Sequence, residues 1–437
     1  MSWAARFRLR QYAKASLWIV PLFGLALGVA LAEAATAVDG ASWLPKSWDY
    51  SASTASTVLS SVVGSMIALL GFVVTIGVLV IQQATGTLSP RYMRLWYRDR
   101  LQKAVLATFT GTFAFAYTLL RTIETDSVPN LGVTLAGVAV SVSLLLLLIY
   151  LNRFTHNLRP VAIADIVGRQ GEQVLDHAAA HVRSTAAPGG TPPTDGPVTL
   201  VRAERGGVVQ AFDAPGMLAL ATRHDCVLVL AASVGDFVPP GAAVVEVHGG
   251  TDMPDPHRVA GLLALGAERT IEQDPAFALR ILVDIAIRAL SPAVNDPTTA
   301  VQVLNHIETF LHTVGRIGLR DHYVLADDHG RPRLVLPGRS WEEYLELALT
   351  EIRDYGTTSV QVCRRLRALL QGLLAALPDS YGPALRAELV LLDDAVERGF
   401  GDAPRRTLAR TADPQGIGGR RPGRAAPEAP ASDEPGP

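Results

Sequence analysis

The sequence predicts an α+β membrane protein: a four-helix transmembrane bundle, then a cytoplasmic part with a small β module and a mainly α-helical domain. Three observations support this fold class. Of the 437 residues, 49% are hydrophobic and only 18% are charged, whereas a typical soluble domain carries about 25% charged residues. The charge-poor sequence lies mostly in the N-terminal third of the chain. Valine-rich segments and then amphipathic helical patterns follow it, as expected for an attached soluble part.

Four apolar stretches are long enough to cross a bilayer, which requires about 20 residues. They are approximately Ser16–Ala37, Thr57–Ile81, Ala104–Leu120 and Leu131–Leu151. The first stretch also resembles a signal peptide, because basic residues precede it and Ala32-Glu33-Ala34 resembles a cleavage site. Its apolar run exceeds the ~7–15 residues of a signal-peptide core, so we favour an uncleaved membrane anchor.

Basic residues predict how these spans are oriented. Arginine and lysine are abundant before the first span, between the second and third, and after the fourth, but sparse in the two opposite loops. Since positive residues concentrate on the cytoplasmic side, we expect a multi-pass protein of the plasma (inner) membrane with both termini cytoplasmic. The two cysteines, Cys226 and Cys363, lie far apart in sequence, so we expect reduced thiols rather than a disulfide framework.

Small residues recur in the second span, where Ser60 and Gly64, and Ser61 and Ser65, are four apart and Gly71 follows. This spacing lets helix backbones approach closely. We favour packing inside the four-helix bundle, and a pore or subunit interface is the alternative. No ionisable residue lies in the middle of a predicted span, which argues against a proton-coupled pump but permits a pore lined by hydroxyls and backbone.

The loop after the second span, LSPRYMRLWYRDRLQK, alternates aromatic residues with arginines. We interpret it as a membrane-interface segment, with rings among the lipid headgroups and guanidinium groups at the anionic surface. A specific lipid-headgroup site is the alternative. The residues of this membrane-interface motif are Ser89, Pro90, Arg91, Arg94 and Trp96.

The chain divides into five predicted units. They are residues 1–155, the four-span domain; 156–197, a helix and Pro/Gly-rich linker; 198–250, the β module; 251–400, the mainly helical domain; and 401–437, a disordered tail. The order of glycines, strands and turns in the β module resembles the barrel-sandwich hybrid of biotinyl/lipoyl-type domains. It contains no lysine to carry a prosthetic group, so we expect a scaffold or docking module.

The segment ALSPAVNDPTTA predicts a capped break between two helices. Pro292 prevents the first helix from continuing, and Asp296-Pro297 suits the N-cap and first position of the next. A structural turn is the interpretation we favour, ahead of a ligand or partner site at a helix N-terminus and of a reaction centre. The candidate ligand- or partner-binding residues are Ser291, Asn295, Asp296, Thr298, Thr299, Arg269 and Asp274.

Motifs for catalysis are missing from the sequence. There is no GxSxG elbow, P-loop, zinc signature or credible carboxylate pair. His177 and His181 are four apart, but Ala178 replaces the glutamate of a zinc protease. We therefore expect no enzyme activity, metal or cofactor, and the net charge of −2 indicates no nucleic-acid partner. The expected partners are the lipid bilayer and further copies of the chain, with an unidentified small-molecule or protein ligand.

Two long segments resemble a known family: SPRYMRLWYRDRLQKAVLATFTGTFAFAYTLLRTI and RTIEQDPAFALRILVDIAIRALSPAVNDPTTA. They are similar to the bacterial predicted-membrane-protein family catalogued as domain of unknown function 2254, and the likeness runs from the first helix to about residue 400. The resemblance implies the same four-helix membrane part and cytoplasmic domain, without an established activity. It singles out Ser89, Pro90, Arg91, Ser291, Pro292, Asn295, Asp296, Pro297 and Thr299.

Two functions are consistent with these features. The first is an oligomeric channel or passive transport protein whose cytoplasmic domain regulates it. The second is a non-conducting, membrane-anchored sensor or scaffold that binds a ligand or partner through that domain.

Overall fold

A computed structural model describes residues 1–38, 50–87, 98–124, 127–157, 159–185, 197–249 and 253–418. The helices are α1 (Trp3–Ala15), α2 (Ile19–Val38), α3 (Ala52–Thr87), α4 (Arg100–Arg121), α5 (Asn130–Asn157), α6 (Pro160–Thr185), α7 (Ala214–Arg223), α8 (Pro256–Ala260), α9 (Pro275–Leu290), α10 (Pro297–Ile317), α11 (Trp341–Gly356), α12 (Val360–Ala376), α13 (Gly382–Gly399) and α14 (Ala403–Ala409). The strands are β1 (Val198–Arg202), β2 (Gly207–Phe212), β3 (Val227–Leu230), β4 (Phe237–Val238), β5 (Ala243–His248), β6 (Leu263–Gly266), β7 (His322–Ala326) and β8 (Pro332–Pro337).

Four helices are long and apolar enough to cross a membrane: α2, α3 between Ala52 and Gln82, α4, and α5 between Asn130 and Arg153. Each overlaps one predicted span, so the prediction of four candidate spans is confirmed. The closest approach joins α2 to α4. A Cβ atom on Gly24 would lie 2.3 Å from the carbonyl oxygen of Ala107, and one on Gly28 would lie 2.2 Å from that of Gly111. Only glycine fits these two positions of α2.

The small residues of α3 have a different role. A Cβ atom on Gly64 or Gly71 would meet nothing within 4 Å, and both glycines are exposed. The expectation that this face packs inside the bundle is therefore wrong for these glycines. The intramolecular contacts of α3 come instead from larger buried side chains such as Leu59 and Met66.

Helix α1, within the predicted four-span unit of residues 1–155, packs on the C-terminal part of the chain. The N–H of Ala4 donates a 3.0 Å hydrogen bond to the carbonyl of Gly261, and α1 packs on β6. Arg98, just before α4, is paired with Glu272. The N-terminus, the segment before α4 and the C-terminal domain (residues 159–418) therefore lie at one end of the bundle.

Two antiparallel-rich sheets form the β part, with strand orders β1-β5-β3-β8-β7 and β4-β2-β6. Their side chains share one buried core, which includes Val209, Leu228, Val245 and Leu334. The predicted module of residues 198–250 is incomplete, because β6 and the β7–β8 hairpin come from the region expected to be helical. Strand β8 pairs in parallel with β3 and so covers an edge that would otherwise expose unpaired backbone groups. The barrel-sandwich likeness stays a prediction.

The helical part has its own core, built by α6 and α9 to α14. Ile163 and Val167 of α6 are fully buried in that core. Helix α6 is the helix predicted before the Pro/Gly-rich linker, and it is a core element because its apolar face has α9 and α10 to pack against. Most of that linker lies outside the described residues.

The expectation that the tail is disordered from residue 401 is wrong up to Gly418. Helix α14 packs on α12, and the buried Arg364 guanidinium donates to the carbonyls of Thr411 (3.0 Å) and Gly418 (2.8 Å). The polar composition of the tail does not predict this contact, because the tail contributes backbone hydrogen-bond acceptors rather than buried apolar side chains. Residues 419–437 lie outside the described part of the chain.

Candidate functional site

The predicted cluster around ALSPAVNDPTTA forms a self-contained turn between α9 and α10. Asp296 caps α10, accepting from the N–H of Thr299 (3.1 Å) and from its hydroxyl (2.6 Å). The Ser291 hydroxyl donates a 2.7 Å hydrogen bond to the carbonyl of Arg288, at the C-terminal end of α9. Asn295 has φ +48°, a left-handed conformation that asparagine tolerates better than most residues. Thr298 is exposed. The side chains of Ser291, Asp296 and Thr299 are thus hydrogen-bonded within the turn and the helix ends that flank it.

Arg269 and Asp274 lie at the opposite end of α9. Asp274 caps the N-terminus of this 16-residue helix, so about 24 Å separates it from Ser291. The structure therefore brings the candidate residues together as two groups rather than one site. The membrane-interface motif, Ser89, Pro90, Arg91, Arg94 and Trp96, lies outside the described residues.

A cleft of about 1490 Å³ opens where the sheets meet the helices. Its walls come from α6, the start of α7, the loop before α9, strands β7 and β8, and the start of α11. The volume exceeds the ~300–1,000 Å³ of ordinary small-molecule sites. We take this cleft, which also contains Asp274, as the candidate functional site.

In the cleft wall, Asp274 forms an ion pair. Asp274, only 3% exposed, accepts from the Arg269 guanidinium at 2.9 Å (Nε) and 2.7 Å (Nη2). Burial raises the pKa of Asp274, although the Arg269 charge opposes this. Gly235, with φ +98°, borders the pair: a Cβ atom there would lie 2.2 Å from Arg269 Nη2. A glycine turn of the sheet part thus closes directly over the cap of α9.

Gln273 fixes the same loop to strand β2. The side-chain N–H of Gln273 donates a 3.1 Å hydrogen bond to the backbone carbonyl of Phe212, and its side-chain oxygen accepts a 3.0 Å hydrogen bond from the backbone N–H of Phe212. Glu272, one residue earlier, is paired with Arg98 beside the membrane bundle. Three consecutive residues, 272–274, therefore connect the bundle, the sheets and α9 at the edge of the cleft.

Aromatic and histidine side chains supply the other groups in the cleft wall. Burial raises the pKa of both Tyr323 and Tyr344, so their phenols remain protonated hydrogen-bond donors. Arg339 lies over the Tyr344 ring, with Cζ 5.9 Å from the centroid. In α6, Nδ1 of His177 lies 2.7 Å from the carbonyl oxygen of Gln173. We assign the ring proton to Nδ1, which makes Nε2 a hydrogen-bond acceptor. This combination suits recognition of a polar small molecule.

Reactive groups are not assembled in the described lining. No nucleophile there is hydrogen-bonded to a base, and the described chain contains no cluster of three or more His, Cys, Asp or Glu residues placed to hold a metal. The two thiols, Cys226 and Cys363, are buried. Burial raises the pKa of both, that of Cys363 to about 12, so neither is an activated thiolate.

Sequence analysis singled out Asp274 and the spacing of His177 and His181, but it did not predict that these residues share a cleft with Tyr323, Arg339 and Tyr344. Tyr323, Arg339 and Tyr344 follow α10, whereas His177 lies in α6, more than 140 residues earlier. No local motif signals their meeting. They meet because α6 packs against β7, which pairs with β8.

Comparison with known proteins supports the architecture. Residues 14–372 match the family model described as a predicted membrane protein, domain of unknown function 2254. Uncharacterized proteins of Mycobacterium bovis and Mycobacterium tuberculosis are each 30% identical over 430 residues, which covers 92% of this chain and 80% of the relative. No solved structure matches significantly. The chain belongs to the predicted-membrane-protein family of domain of unknown function 2254.

Proposed function

We propose that the protein is a homo-oligomeric membrane channel, lined by α3 and regulated by a small polar ligand in the cleft. One observation carries the proposal. Small residues form a continuous stripe along α3, and this stripe has no partner within the described chain. The small-residue stripe consists of Thr57, Ser61, Gly64, Ala68, Gly71 and Thr75, all exposed.

The chemistry of the stripe suits water or a second copy better than lipid tails. Small residues gain little by facing hydrocarbon but let helices approach each other. The hydroxyls of Ser61 and Thr75 donate to backbone carbonyls one turn earlier, at 2.8 and 2.9 Å. Their protons are thus used within the helix, while oxygen lone pairs remain for water or ions.

Helix α9 connects the cleft to α3. Helix α9 begins at the cleft with Asp274 as its cap, and α9 contacts α3. Helix α3 has 36 residues, or about 54 Å, which exceeds the ~30 Å hydrocarbon core. A ligand that shifts the cap of α9 would therefore bias a rigid helix that crosses the membrane. The positive-inside pattern supports a cytoplasmic location for the cleft.

The test combines liposome conductance with single-cysteine labelling. We expect reconstituted protein to conduct, and a thiol-directed reagent to reduce the current of Gly64→Cys and Thr75→Cys. The matched control is Val74→Cys, because Val74 is also exposed on α3 but lies about a quarter turn from the stripe. The native cysteines are buried and give little background. No current across ions and voltages, or equal block of Val74→Cys, would contradict the proposal.

A non-conducting ligand sensor is the second candidate. The interior of the single-chain bundle supports it, because Leu59, Met66, Phe109 and Leu119 are fully buried there. The sensor is favoured by two results together. Reconstituted protein carries no current, and small polar ligands raise the denaturation midpoint of the wild type but not that of Arg339→Gln.

A further inference from the structure

A second, smaller cavity lies between α1, the segment before α4, strand β2 and the loop from β6 to α9. Its volume is about 270 Å³, much larger than the ~30 Å³ of one water molecule and near the lower end of small-ligand sites. Its polar lining includes Arg8, Tyr12, Arg98, Gln210, Arg269 and Thr270. None of the candidate functions uses it.

The cavity is electropositive. Among the described residues, its lining contains three arginines and no carboxylate. Two carboxylates that are not part of the lining pair with these arginines: Glu272 lies 2.8 Å from Arg98, and Asp274 lies 2.7 Å from Arg269. Arg98 also donates to the Gln11 side chain, and its guanidinium has five N–H donors in all. The carboxylates thus orient two guanidinium groups, while Arg8 adds a third positive charge.

A neutral donor completes the site. Thr270 is only 7% exposed, and its hydroxyl is buried with no hydrogen-bond partner among the described residues. A buried hydroxyl without a partner is destabilising. Thr270 lines this cavity, so an acceptor atom of a bound ligand is the partner that the structure leaves room for.

The cavity also lies close to the ends of two candidate spans, where a bilayer would place its lipid headgroups. Arg98 is two residues before the candidate span of α4, and Tyr12 is seven residues before that of α2. Phosphates of the membrane surface occupy this level, and arginine is the side chain best suited to bind them.

We propose that this cavity binds a phosphate group, carried by an anionic phospholipid headgroup or by a soluble phosphate compound. Arg8, Arg98 and Thr270 are the donors. The site is independent of whether the protein conducts ions.

The experiment has two arms, both with the full-length protein. The first measures phospholipid retained after release from nanodiscs of phosphatidylcholine, alone or mixed with phosphatidylglycerol, by native mass spectrometry. The second titrates inorganic phosphate into delipidated protein and follows the denaturation midpoint. The variants are Arg8→Gln and Thr270→Val. The matched control is Arg10→Gln, which removes the same charge from α1 outside the cavity lining.

We expect selective, saturable binding of phosphatidylglycerol or of inorganic phosphate, and the arm that responds identifies the source. Arg8→Gln and Thr270→Val should each weaken it about tenfold, since a hydrogen bond to a charged group is lost. Thr270→Val should also raise the denaturation midpoint of the ligand-free protein, which a general packing defect would not do. Absence of saturable binding in both arms, or equal weakening by Arg10→Gln, would overturn the proposal.

Discussion

Glu272 accepts a 2.8 Å hydrogen bond from Arg98, which joins the loop before α9 to the segment before α4. Lys14, at the end of α1, lies 3.4 Å from the same carboxylate oxygen. The side chains of Arg98 and Glu272 are 21% and 26% exposed, so water screens the pair only partly. One carboxylate therefore ties the C-terminal domain to two segments that lead into membrane spans.

Replacing Glu272 by glutamine should lower the free energy of unfolding by about 1–3 kcal/mol, because charge-assisted hydrogen bonds are lost and Arg98 keeps only neutral acceptors. The denaturation midpoint in detergent measures this change. Glu346→Gln, on the exposed side of α11, is the control and should have little effect. Equal midpoints for the two variants would show that the pair is not stabilising.

The same pair predicts a pH dependence. Burial raises the pKa of Glu272, but the Arg98 charge, hydrogen bonds with Gln11 and Arg98, and Lys14 together bring it below the ordinary 4.5. The folded state thus binds this proton less tightly than the unfolded state. Its stabilisation is present above pH 4.5 and disappears as pH falls through the lower folded-state pKa. The midpoint difference between wild type and Glu272→Gln should vanish over that acid range; a difference that grows on acidification would contradict it.

The turn between α9 and α10 should respond to mutation as a structural cap. Asp296→Ala removes the acceptor for the Thr299 N–H and should cost about 1 kcal/mol. Asn295→Val should cost about 1–2 kcal/mol, since a β-branched residue resists the left-handed backbone, whereas Asn295→Gly should be tolerated. Thr298→Ala, at an exposed position, is the control. Thermal denaturation tests all four; a stable Asp296→Ala variant that has lost a ligand would instead indicate a binding site.

The native thiols should resist labelling in the folded protein. Cys226 and Cys363 are buried and their pKa values are raised, so both access and thiolate fraction are low. A maleimide should label them only after denaturation. Thr298→Cys provides the exposed comparison and should react rapidly. Fast labelling of the folded wild type would mean that one of the two cores opens readily.

The end of the described chain should contribute to stability. A chain ending at Arg410 loses the Thr411 and Gly418 acceptors of Arg364, and also Asp413, 3.8 Å from its guanidinium. We expect a loss of about 1–3 kcal/mol, because water replaces these partners only in part. A chain ending at Gly418 keeps every one of these contacts and is the control. Indistinguishable denaturation midpoints for the two truncations would contradict the assigned role of the tail.

Local sequence patterns predicted the elements of this protein well. The four candidate spans and the capping role of Asp296 depend on neighbouring residues. Apolar length and an N-cap followed by proline act within a few residues of chain. Such features leave a signature that one sequence can reveal.

Tertiary structure decided which elements meet. That β8 pairs with β3, that Glu272 reaches Arg98, and that the tail covers Arg364 are contacts between distant segments. The sequence by itself determined a membrane bundle, a β part and a helical part. Only the folded chain determined the cleft and the exposed stripe on α3, because burial and hydrogen bonding between remote residues depend on the complete three-dimensional packing.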